Sequence, residues 1–470
     1  MPRLRSARGC SVLNELLGPD IEILVADKKF DEVAAFFAGH HPAEDAELMA
    51  AMDAAEIKEL LVRMTPDVAA PILCELPDAV QVSVAELLSR EELTHLLEKM
   101  PPDERADLAK GLSEEQLDEV LPFLAQKERE DLKKLVAWPE GTAGSVMTTD
   151  YISFPETMTV RQAIESIRHA GAKKGTISTI YTFDANRRLS GYLTLEDLIL
   201  AKPFLTLGEA KNDLVAEITA NADREEAVYN MSKYGLVMLP VVNENGMLIG
   251  NITHDDIIDI IEEERTEDME RFMAISGEHE DTSYLQTSVW TQFRRRVPWL
   301  VVLAGCGVLS GMVLQSFEAV IAQLMLLTFY MPMLTDAGGN TGSQAATVIM
   351  RALTLKEIKP QDVIRVLWKE LRVAVLLGVV LGVLAFVRVE LLSASTGIPA
   401  GMALSRIALT IGFALFVQVL TATIIGALLP LIASLFKIDP ALVASPALTT
   451  VVDITGLLIY FGLARVLLGV

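Results

Sequence analysis

The chain has 470 residues, of which 51% are hydrophobic and 22% charged, with a formal net charge of −23 and a mean hydropathy of +0.36. The charge is unevenly divided, because residues 1–284 carry a net −28 whereas residues 285–470 carry a net +5. So negative an N-terminal part excludes binding to nucleic acid, whose phosphates require Lys and Arg, and favours binding of cations.

The cysteines and the first residues do not indicate a functional site or a targeting segment. Cys10, Cys74 and Cys306 are too far apart in sequence to predict a disulfide framework or a thiolate metal site, so we expect reduced thiols. The segment from Met1 to Leu17 is basic but holds no continuous apolar stretch, so a cleaved signal peptide is not expected. We therefore expect the N-terminus to stay in the cytoplasm.

A 12-residue repeat runs through the first third of the chain. Most units contain a helix-start pattern of a capping residue, a proline and an acid. The residues that open the units are Met52, Met64, Leu76, Leu88, Met100, Leu112 and Leu124. His41-Pro42-Ala43-Glu44 is interpreted as an earlier copy. Because units this short cannot bury an apolar face alone, the repeat predicts a superhelix of stacked short helices, with an ordinary helical bundle as the alternative.

A second repeat follows a linker-like run from Trp138 to Gly144. The stretch 183–199 returns 59 residues later as 242–258. Each copy predicts a strand, a polar turn, a second strand, and a helix capped by a threonine with an acid in its first turn. The doubled pattern resembles a pair of CBS domains.

The two capping motifs of this pair are candidate nucleotide contacts. In the CBS family, residues matching Thr194 with Asp197 and Thr253 with Asp256 stand where an adenosine ribose is often held. The alternative is that these residues are helix caps and bind no nucleotide.

The segment from Asp255 to Glu280 combines helical periodicity with dense negative charge. The acids at 256, 259 and 263 share one helical face, and those at 264, 267 and 268 share another. Taken alone, such a block of like charge is interpreted as a solvated helix surface, and the apolar segments that follow it are the context for any further role.

Five apolar segments follow Arg294-Arg295-Arg296, and each is about long enough to cross a bilayer. The segments are 297–317, 319–350, 370–392, 404–436 and 441–469. Basic residues crowd the link at 351–372, and Lys437 marks the link between the last two segments. By the positive-inside rule, the acidic domains are cytoplasmic and Val470 lies outside.

Asp453 is the clearest charged residue inside a predicted span. A carboxylate in hydrocarbon is costly unless it faces an ion, a cavity or a partner, so Asp453 predicts a cation path. A proton relay and a simple hydrogen bond to a neighbouring helix are the alternatives, although the spans hold no histidine for a relay. Asp336, Asp439 and Glu318 lie nearer to predicted span ends and weigh less.

The run Gly-Gly-Asn-Thr-Gly-Ser-Gln at 338–344 places small and polar residues in the second span. It predicts either a close approach of helices or a broken helix that lines a cavity. Oxygen ligands with few carboxylates suit Mg²⁺, which keeps several of its waters. Two chains that meet on a dyad would supply two Asp453 carboxylates, so we predict a homodimer with a central pore.

The order of these segments resembles the MgtE family of bacterial magnesium channels over nearly the whole chain. The membrane motifs that carry the resemblance are 338–344, 439–442 and 452–460. The resemblance implies a multidomain fold. Its parts are an all-α superhelical domain at 1–137, an α/β CBS pair at 138–262, an acidic plug helix at 263–293, and an α-helical transmembrane domain of five helices at 294–470.

The resemblance also implies metal-binding residues. In the membrane these are Asp453, which would hold hydrated Mg²⁺ in the pore, with Thr449, Asn340 and Asp439. Regulatory Mg²⁺ would bind acids on the cytoplasmic surfaces, namely Asp103, Asp107, Glu225, Asp256, Asp259, Glu264, Glu267 and Asp268. Gly235 stands where some relatives have an acid, which puts one such site in doubt. Binding of ATP at Thr194, Asp197 and Thr253 varies within the family and stays open.

We therefore predict a homodimeric channel or transporter that takes up Mg²⁺ across the bacterial inner membrane. Cytosolic Mg²⁺ would close it by neutralising the repulsion between acidic domains. The alternative is a transporter of other divalent ions such as Co²⁺ or Mn²⁺, with proton exchange. An enzyme is not expected, because the sequence has no phosphate-binding loop, no HExxH motif and no paired catalytic carboxylates near a histidine.

Overall fold

The computed structural model describes residues 12–37, 39–50, 52–170, 177–275, 287–393, 402–436 and 446–469. The described chain forms two compact units. The first holds the described residues up to Glu264, and the second holds those from Arg265 onward.

The N-terminal part of the first unit consists of short helices. Helix α1 spans Val12–Ala26, and nine further helices of the described region begin at 12-residue intervals. They are α2 (Phe30–Phe37), α3 (Pro42–Met49), α4 (Ala54–Leu61), α5 (Pro66–Cys74), α6 (Asp78–Leu87), α7 (Arg90–Lys99), α8 (Pro102–Gly111), α9 (Glu114–Val120) and α10 (Gln126–Val136). The repeat seen in the sequence therefore sets the start of every helix from α2 to α10.

The stacking follows from the length of the repeat. Helices α6, α7 and α8 have ten residues each, and two residues in extended conformation lead into the next helix. Each helix from α1 to α8 packs against the second helix that follows it. The residues at equivalent positions of successive helices, Leu61, Leu73, Ala85, Leu97 and Ala109, are all buried. The predicted stack of short helices is confirmed, because no unit buries its apolar face without its neighbours.

Two three-stranded sheets follow in the first unit. The strands are β1 (Ile152–Pro155), β2 (Thr179–Phe183) and β3 (Leu189–Thr194) in one sheet, and β4 (Ile218–Thr219), β5 (Met238–Val242) and β6 (Leu248–Thr253) in the other. In both sheets the first strand is parallel to the middle strand, which pairs antiparallel with the third. Strands β5 and β6 begin and end 59 residues after β2 and β3, so the second repeat is also confirmed.

The helices that accompany these sheets are α11 (Val160–Ala170), α12 (Leu195–Leu200), α13 (Leu207–Ala210), α14 (Arg224–Tyr234) and α15 (His254–Phe272). Helices α12 and α15 begin directly after β3 and β6, where the sequence predicts capped helices. The last residues of α15, from Arg265, belong to the second unit.

The rest of the second unit is helical. Its helices are α16 (Val289–Ser316), α17 (Glu318–Gln323), α18 (Leu326–Thr354), α19 (Val363–Leu392), α20 (Leu404–Leu435) and α21 (Pro446–Leu468). By length and composition, the described chain contains four candidate spans, at 289–316, 360–392, 404–435 and 447–468. The second of the five predicted segments corresponds to α17 and α18. Helix α18 has 29 residues, about 43 Å, so it is long enough to cross a bilayer. It is not among the four candidate spans, and it carries the polar run 338–344.

The polar run does not break its helix. Helix α18 is continuous through 338–344, so the predicted alternative of a broken helix is wrong. Its glycines instead allow close packing: a Cβ on Gly338 would lie 3.0 Å from Val452 Cγ1, and one on Gly342 would lie 3.1 Å from the carbonyl oxygen of Ala422. The other predicted alternative, a close approach of helices, is confirmed. Gly338 and Gly342 have only a hydrogen atom as side chain, so α18 packs directly against α20 and α21.

One carboxyl group in the helical stack is buried without a hydrogen bond from any described residue. Asp45 in α3 is 1% exposed, and neither of its oxygens has a hydrogen-bond partner among the described residues. Burial raises the pKa of Asp45 to about 7, while His40 acts in the opposite direction. An unfolded aspartate titrates near pH 4, so between about pH 4 and pH 7 only the folded chain holds this proton. The free energy of unfolding therefore falls as the pH rises through that window.

We expect Asp45→Asn to stabilise the helical stack at pH 8 by on the order of 3 kcal/mol and to have little effect at pH 4. The amide removes the charge that the folded chain must otherwise bury. Cys74, buried in α5, provides a local reporter. In full-length protein that lacks the other two cysteines, the urea dependence of Cys74 labelling would be compared at both pH values.

The matched control is Glu44→Gln, because Glu44 is the exposed neighbour of Asp45 on the same helix. Equal effects of the two substitutions at pH 8 would contradict the assignment to the buried carboxyl group.

Candidate cation-binding sites

A stripe of polar side chains runs along one face of α18. Asp336, Asn340, Gln344 and Thr347 are spaced by four, four and three residues, and all four are exposed in the single chain. Residues at this spacing lie on the same side of a helix. In a helix packed among apolar spans, such a face requires water, an ion or another protein surface.

Helix α21 places two predicted ligands beside this stripe. Thr449 and Asp453 are four residues apart and half-buried. A Cβ on Gly339 of α18 would lie 3.7 Å from Thr449 Cγ2, and one on Gly338 would lie 3.0 Å from Cγ1 of Val452, the neighbour of Asp453. We call Asp336, Asn340, Thr449 and Asp453 the α18–α21 seam. The structure thus places three predicted membrane ligands, and Asp336, on two helices that pack against each other, and their role as ligands stays a prediction.

Asp453 has no ion-pair partner among the residues that the structure describes. Arg465, the next basic residue along α21, lies 12 residues away, about 18 Å along the helix. The interpretation of Asp453 as a carboxylate that binds a cation stays a prediction. Asp439, the fourth predicted membrane ligand, lies outside the described residues.

Gln418 in α20 is a polar residue of this region that sequence reasoning missed. Its side chain is completely buried, and Nε2 donates to the carbonyl oxygen of Val452 at 3.0 Å. The amide lies against Gly338 and Gly456, and Oε1 has no hydrogen-bond partner among the described residues. The sequence did contain a signal for Gln418, namely a glutamine in the middle of an otherwise apolar span.

The predicted regulatory acid Glu264 already has a cationic partner within the first unit. Arg224, at the start of α14, contacts Glu264 through Nε, and its Nη1 lies 2.8 Å from Glu263 Oε2. The backbone N–H of Arg224 donates to the carbonyl oxygen of Gly141 at 3.0 Å. Arg224 therefore ties the middle of α15 to α14 and to the linker without a metal ion.

Two other predicted regulatory acids form ion pairs along their own helices. Lys110 Nζ lies 2.9 Å from Asp107 Oδ1, and Arg271 pairs with Glu267. Asp107 is half exposed, so its pair contributes little to stability. A dication that binds either acid has to displace or share a lysine or an arginine.

Four of the remaining predicted regulatory acids lie on three helices. Asp103 is on α8 beside the buried Arg105, Glu225 is in the first turn of α14, and Asp259 and Asp268 are both on α15. Burial lowers the pKa of Arg105, and the acids around it act in the opposite direction. Within the described parts of the chain, no three acidic, histidine or cysteine side chains gather closely enough to hold a metal ion. The regulatory sites therefore stay predictions.

Gly235 ends α14 in the left-handed conformation, with φ of 63°. Glycine adopts this conformation without strain, whereas a residue with a Cβ does not. The requirements of the helix end therefore explain why this position is not an acid.

The capping motifs of the sheet domain have the predicted geometry. Asp197 Oδ2 accepts from the Thr194 N–H at 2.8 Å, and the Asp197 N–H donates to Thr194 Oγ1 at 3.1 Å. Thr253 Oγ1 donates to the Asp256 carboxylate. The motifs are helix caps, as the alternative reading states. Whether a nucleotide also binds there stays a prediction.

Three family models match this chain in the order of its domains. The model for the MgtE intracellular N domain matches residues 40–141, and the model for CBS domains matches residues 143–203 and 214–263. The MgtE model, described as a divalent cation transporter, matches residues 331–463. The last match includes the whole α18–α21 seam.

Solved structures similar to this chain include two cytosolic parts of magnesium transport proteins. One is the soluble part of a magnesium transporter, with 24% identity and a TM-score of 0.48 over 53% of this chain and 98% of that one. The other is the cytosolic domain of the Mg²⁺ channel MgtE in complex with ATP, with 29% identity and a TM-score of 0.46 over 49% of this chain and 93% of that one.

Curated relatives cover far more of the chain. The magnesium transporter MgtE of Thermus thermophilus is 37% identical over 71% of this chain and 72% of its own length. The magnesium transporter MgtE of Bacillus subtilis is 32% identical over 94% of this chain and 96% of its own length. Both relatives are named as magnesium transporters, and the similarity to the second covers nearly the whole chain. The predicted resemblance is confirmed, and the chain belongs to the MgtE family.

Proposed function

We propose that this protein takes up Mg²⁺ across the bacterial inner membrane, with its N-terminus in the cytoplasm and its C-terminus outside. The observation that carries the proposal is the position of Asp453, half-buried in α21 beside the polar stripe of α18. Two relatives that carry the name magnesium transporter support the identity of the ion.

The chemistry of the seam suits a hydrated Mg²⁺ ion. Mg²⁺ prefers oxygen ligands, loses its waters reluctantly and is usually held by one or two carboxylates. Asp336, Asn340, Thr449 and Asp453 offer carboxylate, amide and hydroxyl oxygens and no sulfur or imidazole. A soft-metal site would require ligands of the latter kinds, so the seam favours a hard cation.

The polar stripe supports a homodimer as the transporting form. In one chain the stripe faces outward from α18, where lipid would leave a carboxylate unsolvated. A second copy related by a dyad would place two stripes around one water-filled path. The same symmetry doubles the carboxylates that face the ion.

Closure by cytosolic Mg²⁺ is supported by charge and by packing. Residues 1–284 carry a net −28, so a compact arrangement of two such domains is opposed by repulsion that divalent ions would relieve. Phe272, at the end of α15, packs in the second unit against a cluster that includes Val452, the neighbour of Asp453. Mg²⁺ bound to the acidic surfaces would hold α15 in this position and so favour the closed state.

We expect Asp453→Asn to reduce Mg²⁺ uptake by proteoliposomes at least tenfold, because the amide keeps the volume of the side chain but removes its charge. Uptake would be measured with a Mg²⁺-sensitive dye at low internal Mg²⁺. The control is Glu318→Gln, an exposed acid at the start of α17. Uptake by Asp453→Asn at the level of the control would remove the pore assignment.

We expect the double variant Glu225→Gln, Asp259→Asn to need about tenfold more internal Mg²⁺ for half-maximal closure, because each amide removes one charge that a regulatory dication would neutralise. The measurement is uptake against internal Mg²⁺ concentration. Glu244→Gln, in an exposed hairpin turn of the second sheet, provides a matched control. Wild-type uptake that does not respond to internal Mg²⁺ would refute the regulation itself.

A further inference from the structure

One face of α19 is exposed and apolar over most of its length. Leu376, Val379 and Val383 lie on this face, and all three are exposed in the single chain. The opposite side of the helix packs against α20, where a Cβ on Gly378 would lie 3.2 Å from the carbonyl oxygen of Phe416. Because α19 belongs to a candidate span, we expect its exposed apolar face to contact lipid chains.

The same face becomes basic toward the start of the helix. Arg365, Lys369 and Arg372 are spaced by four and three residues, and Leu376 follows one turn later. All three basic side chains are exposed. They span about 10 Å along the helix axis, directly beyond the apolar part of the face. In a bilayer, these charges would therefore lie at the depth of the lipid headgroups.

The chain itself neutralises little of this charge. Lys369 and Arg372 form no ion pair with any described residue. Arg365 lies 3.5 Å from Asp362, but the Arg365 side chain is 88% exposed, and an exposed pair of this kind contributes little. The acid Glu370 is buried, on the other side of the helix. The basic face is thus open to an anionic partner.

Trp368 provides an independent indication of the depth of these charges. Its side chain is 60% exposed, beside the basic residues. The guanidinium carbon of Arg372 lies 5.9 Å from the centre of the indole ring, and Arg372 Nε donates to the Trp368 carbonyl oxygen at 3.3 Å. Tryptophan is enriched where hydrocarbon meets headgroups. The pair therefore holds a guanidinium group, a good donor to phosphate oxygens, at that boundary.

We propose that Arg365, Lys369 and Arg372 bind the headgroup of an anionic phospholipid, whose acyl chains lie along the apolar part of the same face. Charge complementarity identifies this occupant. A zwitterionic lipid brings an ammonium group to three cations, whereas phosphatidylglycerol brings a phosphate without one. A second copy of this chain on a dyad at this face would place like charges together, which disfavours a protein contact here.

The test measures quenching of Trp368 in full-length protein by brominated lipid. The bilayers are mixtures of phosphatidylglycerol and phosphatidylcholine in which one lipid or the other is brominated. The difference between the wild type and Trp368→Phe isolates the signal of Trp368. We expect phosphatidylglycerol to bind beside Trp368 about fivefold more strongly than phosphatidylcholine, since one basic residue near an anionic surface contributes about that factor.

The triple variant Arg365→Gln, Lys369→Gln, Arg372→Gln is expected to bring this ratio close to one. The matched control lies at the other end of the same helix, where the charges of Arg388 and Glu390 cancel. Leu391 is exposed there, so Leu391→Trp in the Trp368→Phe background reports on lipid at that end, and we expect a ratio close to one. If the triple variant does not fold, Lys369→Gln alone is expected to lower the ratio at Trp368 about twofold.

Three outcomes would overturn the proposal. The first is a ratio at Trp368 no higher than that at the Leu391→Trp control. The second is a ratio that the glutamine variants leave unchanged. The third is a lack of quenching by either lipid, which would mean that protein covers this face. The measurement requires no Mg²⁺ transport, so its result is independent of the proposed function.

Discussion

The free-energy cost of a carboxylate among apolar helices is the constraint on which the membrane region depends. Asp336 and Asp453 lie on two helices whose close packing is made possible by Gly338 and Gly342. Neither acid forms an ion pair with a described basic residue, so the compensating charge has to come from elsewhere. Under the proposed function a hydrated dication would meet that need, and because it would neutralise the acids without a permanent bond, it could also leave.

In the acidic first unit, basic side chains of the same unit neutralise some of the carboxylates. Arg224 neutralises Glu263 and Glu264, and Lys110 pairs with Asp107. Such pairs reduce the repulsion that a dication would otherwise relieve, so under the proposed regulation they would raise the Mg²⁺ concentration needed for closure. In this family member, the sensitivity of closure would thus depend on the basic residues within the acidic surface as well as on the acids.

The two sequence repeats predict the fold of the first unit well, because each repeat encodes local structure. A cap such as Ser89 or Thr194, placed at a fixed interval, decides where a helix begins, and the apolar residues that follow decide which face is buried. The buried carboxyl group of Asp45 was not predictable, since its burial depends on helices that pack around α3 rather than on its own neighbours in sequence.

The sequence by itself determined the order of domains, the 12-residue and 59-residue periods and the apolar segments, and it supplied the prediction that Asp453 binds a cation. These depend on composition and spacing along one element, which are properties of the chain before it folds. Only the tertiary structure decided that the run 338–344 stays helical, that Gly339 of α18 lies close to Thr449 of α21, that Gln418 packs between Gly338 and Gly456, and that Glu264 pairs with Arg224. Each of these results joins residues far apart in sequence. Such contacts are fixed by how closely whole helices pack, and no local pattern records that distance.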